Sequence, residues 1–589
     1  MADSDEQLVR LARAWVDQDP DPETRAEAED LMRRTEAGDA AARDELADAF
    51  GGRLAFGTAG LRGRLGPGPR RMNRVVVAQT SAGFAAFLRE RAAAGETSER
   101  PSAVIGYDGR VNSDVFARDA AEILAGAGVA VTLLPEPLPT PVTAFAVRRL
   151  GVSAGVMITA SHNPPRDNGY KVYLGDADDG AQIVPPIDGE IAARIASAAD
   201  RPVAELPRSS DYAVAGDDVL EAYVDATATA LLAGAAAPAS GAAAPRAASP
   251  ELRVVYTAMH GVGSAPARRL FAAAGLPGVV AVPEQDRPDG GFPTVAFPNP
   301  EEPGALDLAF RTAREIGADL VVANDPDADR LAVAAPHPGS PEGYRALTGN
   351  QLGLLLGWRA AERHARMRGG SPGALACTIV SSPALRAVAR AYRLDYAETL
   401  SGFKWVARVP NLVFGFEEAL GYLTHPEVVH DKDGISAAAD AIALTRELAA
   451  EGRTVWDRLD EASERFGHFA SAQITVRLDS MADSEALSQR LRRTPPEEFG
   501  GVAVSAAADL LDPGLAAVPA NVLRYDLADG CRVMIRPSGT EAKLKVYLDA
   551  FSDSGGAAER RRATEEALQR IERSAREFLD ASLTWAGAR

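Results

Sequence analysis

The residues of this 589-residue chain best suited to chemistry are three carboxylates at alternate positions: Asp325, Asp327 and Asp329, in the run Asp325-Pro326-Asp327-Ala328-Asp329-Arg330. They follow an apolar run, Asp319-Leu320-Val321-Val322-Ala323-Asn324, that reads as a buried strand. Three close carboxylates repel one another unless a cation neutralises them. On an extended loop their oxygens can converge on a hard divalent ion. An EF-hand is excluded, because it needs Gly where Arg330 stands and Glu where Pro336 stands. A second reading makes Asp325 the nucleophile of an Asp-x-Asp phosphatase, which leaves Asp329 and Arg330 unexplained.

Thr159-Ala160-Ser161-His162-Asn163-Pro164-Pro165 follows another apolar run, Gly155-Val156-Met157-Ile158. Asn163-Pro164 forces the chain out of the sheet, since Pro lacks an N–H and restricts the residue before it. Ser161 and His162 are thus presented at a strand end, where ligands sit in open α/β sheets. The blander reading is a polar turn with a capping serine. A Ser-His-Asp triad is not expected, because adjacent side chains on an extended segment point apart. Gly151-Val152-Ser153-Ala154-Gly155 matches the hydrolase elbow in letters only; a helix-like stretch precedes it and a strand follows, the reverse of what that motif needs.

Four further stretches carry polar groups. In Phe56-Gly57-Thr58-Ala59-Gly60-Leu61-Arg62-Gly63-Arg64, the glycines allow close approach to an anion that Arg62 and Arg64 could hold; the alternative is a flexible turn. Gly415-Phe416-Glu417-Glu418-Ala419-Leu420-Gly421 puts two carboxylates on a turn, where they suit sugar hydroxyls or merely start a solvated helix. Ser401-Gly402-Phe403-Lys404-Trp405 precedes it, and His430-Asp431-Lys432-Asp433-Gly434 follows with Lys432 as a proton carrier or phosphate contact. Arg536-Pro537-Ser538-Gly539-Thr540-Glu541 offers a guanidinium, hydroxyls and exposed N–H groups as a phosphate cradle, or else a plain hairpin turn.

The elements that must position these loops repeat. Strand–helix–strand patterns start near residues 103, 252 and 375 and indicate parallel pairing through crossover helices. Each is followed by a strand that delivers a polar loop, carrying Ser161, Asp325 and Glu417 in turn, so three like domains facing one cleft are expected. The tail from about 465 alternates strands and helices in an α+β pattern. The expected division is a helical extension over 1–50 (two helices, with Leu8, Leu11, Ala12 and Trp15 on one inward face), then 51–217, 218–335, 336–464 and 465–589. An Ala/Pro-rich insertion over 233–250 reads as flexible and without function.

A net charge of −19 argues against nucleic-acid or acidic-membrane partners, while local arginines still admit a small anion. The two cysteines, Cys377 and Cys531, give neither a disulfide framework nor metal-ligand spacing. The first residues have no apolar core of a signal peptide, and no run approaches the ~18 apolar residues that span a bilayer. A cytoplasmic protein, monomer or homodimer, is expected.

Taken together, the Thr-Ala-Ser-His-Asn-Pro, Asp-Pro-Asp-Ala-Asp-Arg, Gly-Phe-Glu-Glu-Ala-Leu-Gly and Arg-Pro-Ser-Gly-Thr-Glu motifs, in this order over roughly residues 50–550, resemble the α-D-phosphohexomutase family of phosphoglucomutases and phosphomannomutases. The resemblance implies a heart-shaped, four-domain fold: three α/β domains with mixed sheets and a smaller α+β fourth. It implies Ser161 as a phosphoserine and Mg²⁺ held by Asp325, Asp327, Asp329 and the Ser161 phosphate. Arg62 and Arg330 would stabilise the moving phosphoryl group, with His162, Lys171 and Lys432 as candidates for acid and base. Gly402, Lys404, Glu417, Glu418 and Gly421 would bind the sugar, and Arg536, Ser538, Gly539 and Thr540 the distal phosphate. The Ser401–Trp405, Glu417–Gly421 and Asp431–Gly434 stretches look most like the phosphoglucomutase and phosphopentomutase branch; phosphomannomutases more often have His where Tyr422 stands. Ala542 stands where the family's phosphate loop often has Pro. The implied substrate is glucose 1-phosphate, with mannose and pentose phosphates as alternatives and a bisphosphate such as glucose 1,6-bisphosphate as priming intermediate.

Overall fold

The computed structural model describes residues 2–233, 252–368, 370–512, 514, 518–538 and 542–584. Apart from Ala233, which ends a helix, the Ala/Pro-rich insertion lies outside them.

The N-terminal extension forms three helices, not two: Ala2–Val16, Pro22–Glu36 and Ala40–Phe50. The expected second helix is divided because Asp39 caps a new start, accepting from the backbone N–H of Ala41 and Ala42, while Gly38 just before it takes a φ of +87°. The inward face of the first helix is Val9, Ala12, Trp15 and Val16, whereas Leu11 is 49% exposed. This face packs with Leu31, Leu46 and Phe50 onto Val75, Ala78 and Ile123 of the next domain.

The next three units each build a mixed sheet on one plan. In the first, Ala130–Leu133, Ser102–Tyr107 and Ala154–Ile158 run parallel, and Asp167–Leu174 returns antiparallel beside the last. In the second, Val279–Ala281, Val254–Thr257 and Leu320–Asn324 are parallel, and Leu331–Pro336 returns. In the third, Asp395–Thr399, Ala374–Thr378 and Leu412–Glu417 are parallel, and Gly421–Leu423 returns. The crossover strands are buried runs, as parallel strands covered on both faces must be. Each motif loop is therefore the link between a buried parallel strand and its antiparallel neighbour, which points all three loops off the same kind of sheet edge.

The second and third units share one core. The helix Gly434–Ala450, buried along most of its length, belongs to one apolar cluster with Val254, Leu320 and Leu331 of the second unit and Leu375 and Phe414 of the third. The C-terminal unit is a separate antiparallel sheet of six strands in the order His468–Arg477, Lys543–Ser552, Arg532–Pro537, Leu523–Leu527, Val502–Asp509, Glu498–Phe499. The helix Ala557–Thr584 covers it through Ile571, Ala575 and Leu579. Arg524 and Arg532 of this sheet meet Glu398 of the third unit at 3.0 and 3.4 Å. Among the described residues no helix is long and apolar enough to cross a membrane.

Trp15 is 5% exposed and stacks edge-on against Phe50, with ring centroids 5.9 Å apart. Trp15→Ala is expected to destabilise the N-terminal helices against the first sheet by about 3 kcal/mol. Urea denaturation followed by far-UV circular dichroism checks this; an unchanged first transition would show that these helices do not pack as described.

Candidate active site

Ser161 sits in a turn with φ of +53°, a left-handed conformation costly for a residue with a side chain. This turn overturns the expectation that Ser161 and His162 point apart, since the segment is not extended there: Ser161 Oγ stands 3.2 Å from His162 Nδ1. No triad results, because Ser161 Oγ donates to Asp325 Oδ2 at 2.8 Å and the carboxylate belongs to the metal-type cluster. Ser161 is 1% exposed. The ring of His162 lies 6.4 Å from that of Phe297. Burial, reinforced by Arg330 and Arg62, pushes the His162 imidazole well below its ordinary range, so it is neutral at pH 7.

The acidic motif is a tight turn rather than an extended loop. Ala328 has a φ of +54°, its N–H donates to the Asp325 carbonyl at 2.9 Å, and Arg330 N–H donates to Asp325 Oδ1 at 3.0 Å. One carboxylate oxygen from each of Asp325, Asp327 and Asp329 lies within 4.8 Å of the others, and all three residues are fully buried. Lys171 Nζ from the first sheet donates to Asp327 Oδ2 at 2.7 Å and Asp329 Oδ2 at 3.0 Å. Thr140 Oγ1 donates to Asp327 Oδ2 at 2.7 Å. Lys432 Nζ from the third unit is 3.4 Å from Asp329 Oδ2. Burial and the neighbouring Asp327 and Asp329 push the Asp325 carboxyl up. At Asp327, burial and Asp329 are overridden by Lys171; at Asp329, burial is overridden by Lys171, Lys432 and Arg330, so both are held down. Asp327 Oδ1 and Asp329 Oδ1 are buried oxygens with no hydrogen-bond partner. Oxygens left bare in this way, in an all-carboxylate set, fit a hard cation such as Mg²⁺.

The sugar motif is a hairpin, not a helix start, and its two glutamates part ways. Glu417 Oε1 is 3.5 Å from Lys432 Nζ. Glu418 instead turns into its own unit, accepting from Ser381 Oγ at 2.9 Å, and is not brought to the carboxylate triplet. Gly421 is required by close approach: a Cβ there would lie 2.4 Å from Lys432 Cδ and 2.8 Å from Glu417 Cγ. Gly402 has a φ of +111° and opens the short helix Phe403–Val406, from which Lys404 Nζ donates to Thr58 Oγ1 of the glycine-rich stretch. Burial lowers the Lys404 ammonium to about 8, with Asp188 opposing and Arg536 adding to the drop.

The glycine-rich stretch is not a flexible turn throughout, since Leu61–Arg64 pairs with Asp167–Leu174 as an edge strand. Arg62 lies opposite Gly169, and its Nε is buried without a hydrogen-bond partner. Arg64 faces away and pairs with Glu45 of the N-terminal helices at 3.3 Å, so it is not an anion holder here. Arg330 Nη1 approaches Glu301 at 3.8 Å, a residue the motifs did not flag. Arg536 is the penultimate residue of the strand Arg532–Pro537, and Ser538 N–H closes the hairpin on the Lys543 carbonyl at 2.8 Å. Gly539 and Thr540 lie outside the described residues.

Sequence reasoning also missed what holds the Lys432 loop. Tyr173 OH donates to Asp431 Oδ2 at 2.8 Å and Tyr223 OH to Asp433 Oδ2 at 2.8 Å, so hydroxyls from the first and second units grip both neighbours of Lys432. Asp108 and Arg110, beneath Ser161, were missed as well, and Thr159 of the serine motif was given no role. Asp108 and Arg110 follow the strand Ser102–Tyr107, so the strand-end rule that singled out Ser161 points to them too.

A serine hydroxyl bonded to a buried carboxylate triplet, with cationic side chains from neighbouring domains around it, is an arrangement suited to phosphoryl transfer. Comparison with known proteins narrows the class. Residues 53–202, 223–339, 348–466 and 497–567 match, in order, domains I, II and III and the C-terminal domain of phosphoglucomutase/phosphomannomutase. The chain is 48% identical to a Haemophilus influenzae protein named probable phosphomannomutase, over 81% of this chain and 93% of that one. It is 34% identical to human phosphopentomutase, over 87% of each. Parafusin, a phosphoglucomutase of Paramecium solved in an open form, shares the fold with a TM-score of 0.66 at 17% identity, over 90% of this chain and 95% of that one. The chain belongs to the phosphoglucomutase/phosphomannomutase family. It is a four-domain phosphomutase, an intramolecular phosphotransferase.

Gly421→Ala is expected to displace Lys432 and lower kcat by about tenfold to a hundredfold with little change in unfolding midpoint. Steady-state kinetics beside a thermal melt checks this, and parental kcat would contradict the crowding at Gly421.

Proposed function

We propose that the chain interconverts an aldose 1-phosphate with the phosphate of its terminal hydroxyl, glucose 1-phosphate and glucose 6-phosphate first among them, through a phosphorylated Ser161. The observation that carries this reading is Ser161 Oγ at 2.8 Å from Asp325 Oδ2, with Asp327 Oδ1 and Asp329 Oδ1 bare beside it. Both oxygens of Asp325 are engaged, by Ser161 Oγ and Arg330 N–H, which disfavours Asp325 as a phosphatase nucleophile.

In this reading, the bond from phosphorus to Ser161 Oγ breaks as one forms to the free sugar hydroxyl, whose proton leaves to a base. The bisphosphate turns over within the cleft, and Ser161 takes back the other phosphoryl group. Asp325, Asp327 and Asp329 would hold Mg²⁺, which when bound supplies positive charge against the phosphoryl oxygens. Arg62 and Arg330, whose charges both act on His162, would supply positive charge for the same group. His162 is neutral and Lys171 and Lys432 are protonated, so they offer one acceptor and two donors for the proton. Lys404 and Glu417 line the sugar side, and Arg536 with Ser538 begins the distal phosphate loop. Sealing the serine from water keeps its phosphate for sugars.

A second reading, mannose or pentose phosphate as the preferred substrate, is favoured by the relatives, whose names include phosphomannomutase, phosphopentomutase and phosphoribomutase. Comparing kcat/KM on the 1-phosphates of glucose, mannose and ribose decides between the two. Glucose 1-phosphate is expected to lead, with Ser161→Ala inactive on all three; a lead of about tenfold for another sugar would reassign the substrate.

Lys404 gives the pH dependence its sign. Its ammonium titrates at about 8, so the charge is present below that pH and lost above it. KM for the phosphosugar is expected to rise severalfold, about one kcal/mol of binding, between pH 7 and 9. Lys404→Met should raise KM at pH 7 and abolish that rise. A wild-type KM flat across this range would exclude Lys404 from substrate binding.

A further inference from the structure

The strands Ser102–Tyr107 and Ala154–Ile158 lie side by side in parallel, with Tyr107 opposite Ile158, so the loops that leave them are adjacent. Arg110, in the first of those loops, is 4% exposed. Its guanidinium reaches four carbonyls of the serine loop. Nη2 donates to Ser161 O at 2.7 Å and Asn163 O at 2.6 Å, and Nη1 to Pro164 O at 2.9 Å and Asp167 O at 3.0 Å. Asp108 holds the other side. It accepts from Arg110 N–H at 3.0 Å, Ser113 Oγ at 2.7 Å and Thr159 Oγ1 at 2.6 Å, and Thr159 Oγ1 accepts from Ser161 N–H at 2.8 Å.

Ser161 is thus gripped at its N–H through Thr159 and at its carbonyl by Arg110, on either side of the strained φ that aims Oγ at Asp325. The second domain closes the assembly. The ring of Phe292 lies over the Arg110 guanidinium at 5.0 Å, and a Cβ on Gly290 would lie 2.6 Å from Val111 N.

We propose that Arg110 is a positioning residue for phosphoryl transfer: its fork fixes the loop so that Ser161 Oγ stays over the carboxylate triplet whether or not it carries a phosphate. The proposal rests on the reading of Ser161 as the phosphoryl carrier. Geometry, not charge, is what the fork supplies, since an ammonium is a point charge that cannot engage four carbonyls in one plane.

Arg110→Lys separates the two, because it keeps the charge and loses the fork. The purified parent, Arg110→Lys and Thr159→Val are mixed with Mg²⁺ and glucose 1,6-bisphosphate, and phosphate on the Ser161 peptide is followed by mass spectrometry beside steady-state kinetics and thermal melts. The Lys variant is expected to lose about a hundredfold in kcat and in the rate of Ser161 phosphorylation, with KM nearly unchanged. Thr159→Val, which removes the bond to the Ser161 N–H in a shape-matched way, is expected to lose about tenfold in both rates. A folded Lys variant that phosphorylates and turns over at the parental rate overturns the proposal. If the Lys variant does not fold, Thr159→Val at the parental rate overturns it. A parent that takes no phosphate at Ser161 overturns the mutase reading itself and is distinguishable from either result.

Discussion

Three carboxylates with oxygens inside 4.8 Å of one another, in a turn closed to water, are the constraint on which the structure depends. Two unit charges at that separation repel by a few kcal/mol even at an effective dielectric of about 20. The chain offsets this with cations drawn from separate domains: Lys171 from the first sheet, Lys432 from the third, and Arg330 from the turn itself. The site therefore exists only when these domains are docked. Docking is written into the same few residues: Thr140 N–H donates to the Asp327 carbonyl, Gly434 N–H to the Ala328 carbonyl and Leu331 N–H to the Leu420 carbonyl. The chemistry and the domain packing share atoms.

The plan that makes this possible is topological. Each of the first three domains ends a buried parallel strand in a polar motif and returns antiparallel, so the chain leaves the core for one short turn and comes straight back. Phosphoryl transfer by positioning demands that such links hold their polar groups in place. The fourth domain is attached differently, through Arg524 and Arg532 on Glu398 and a small apolar cluster in which Ile379 and Val380 pack with Val522, Met534 and Tyr547. Domains two and three, fused through the helix Gly434–Ala450, form the fixed frame against which it rests.

The parts legible in the sequence were those whose signal is local. A buried run followed by a polar motif marks a strand end, and Asp325, Ser161 and Glu417 all stand where that rule puts them. The four-domain α/β organisation followed from the repeat of those runs. What was not legible depends on backbone angles or distant partners. The left-handed φ of Ser161 brings His162 to its hydroxyl, and nothing in the letters Ser-His announces it. Arg110, Thr140, Tyr173 and Tyr223 act on residues dozens to hundreds of positions away, through carbonyls or carboxylates that only the fold assembles. Glu418 looked equivalent to Glu417 and is not, because a hairpin sends neighbouring side chains to opposite faces. The third N-terminal helix was hidden because the stretch after its cap, Asp39, is mostly alanine and charge, with only Leu46 and Phe50 as large apolar residues to show a period.

The central claim is that Ser161, and not Asp325, carries the phosphoryl group. Brief incubation with glucose 1-phosphate labelled with ³²P, followed by acid quench and peptide mapping, tests it most directly. The account predicts acid-stable label on the peptide that contains Ser161, chased off by unlabelled sugar phosphate. Label on the Asp325 peptide as a hydroxylamine-sensitive acyl phosphate, with none on Ser161, would contradict it.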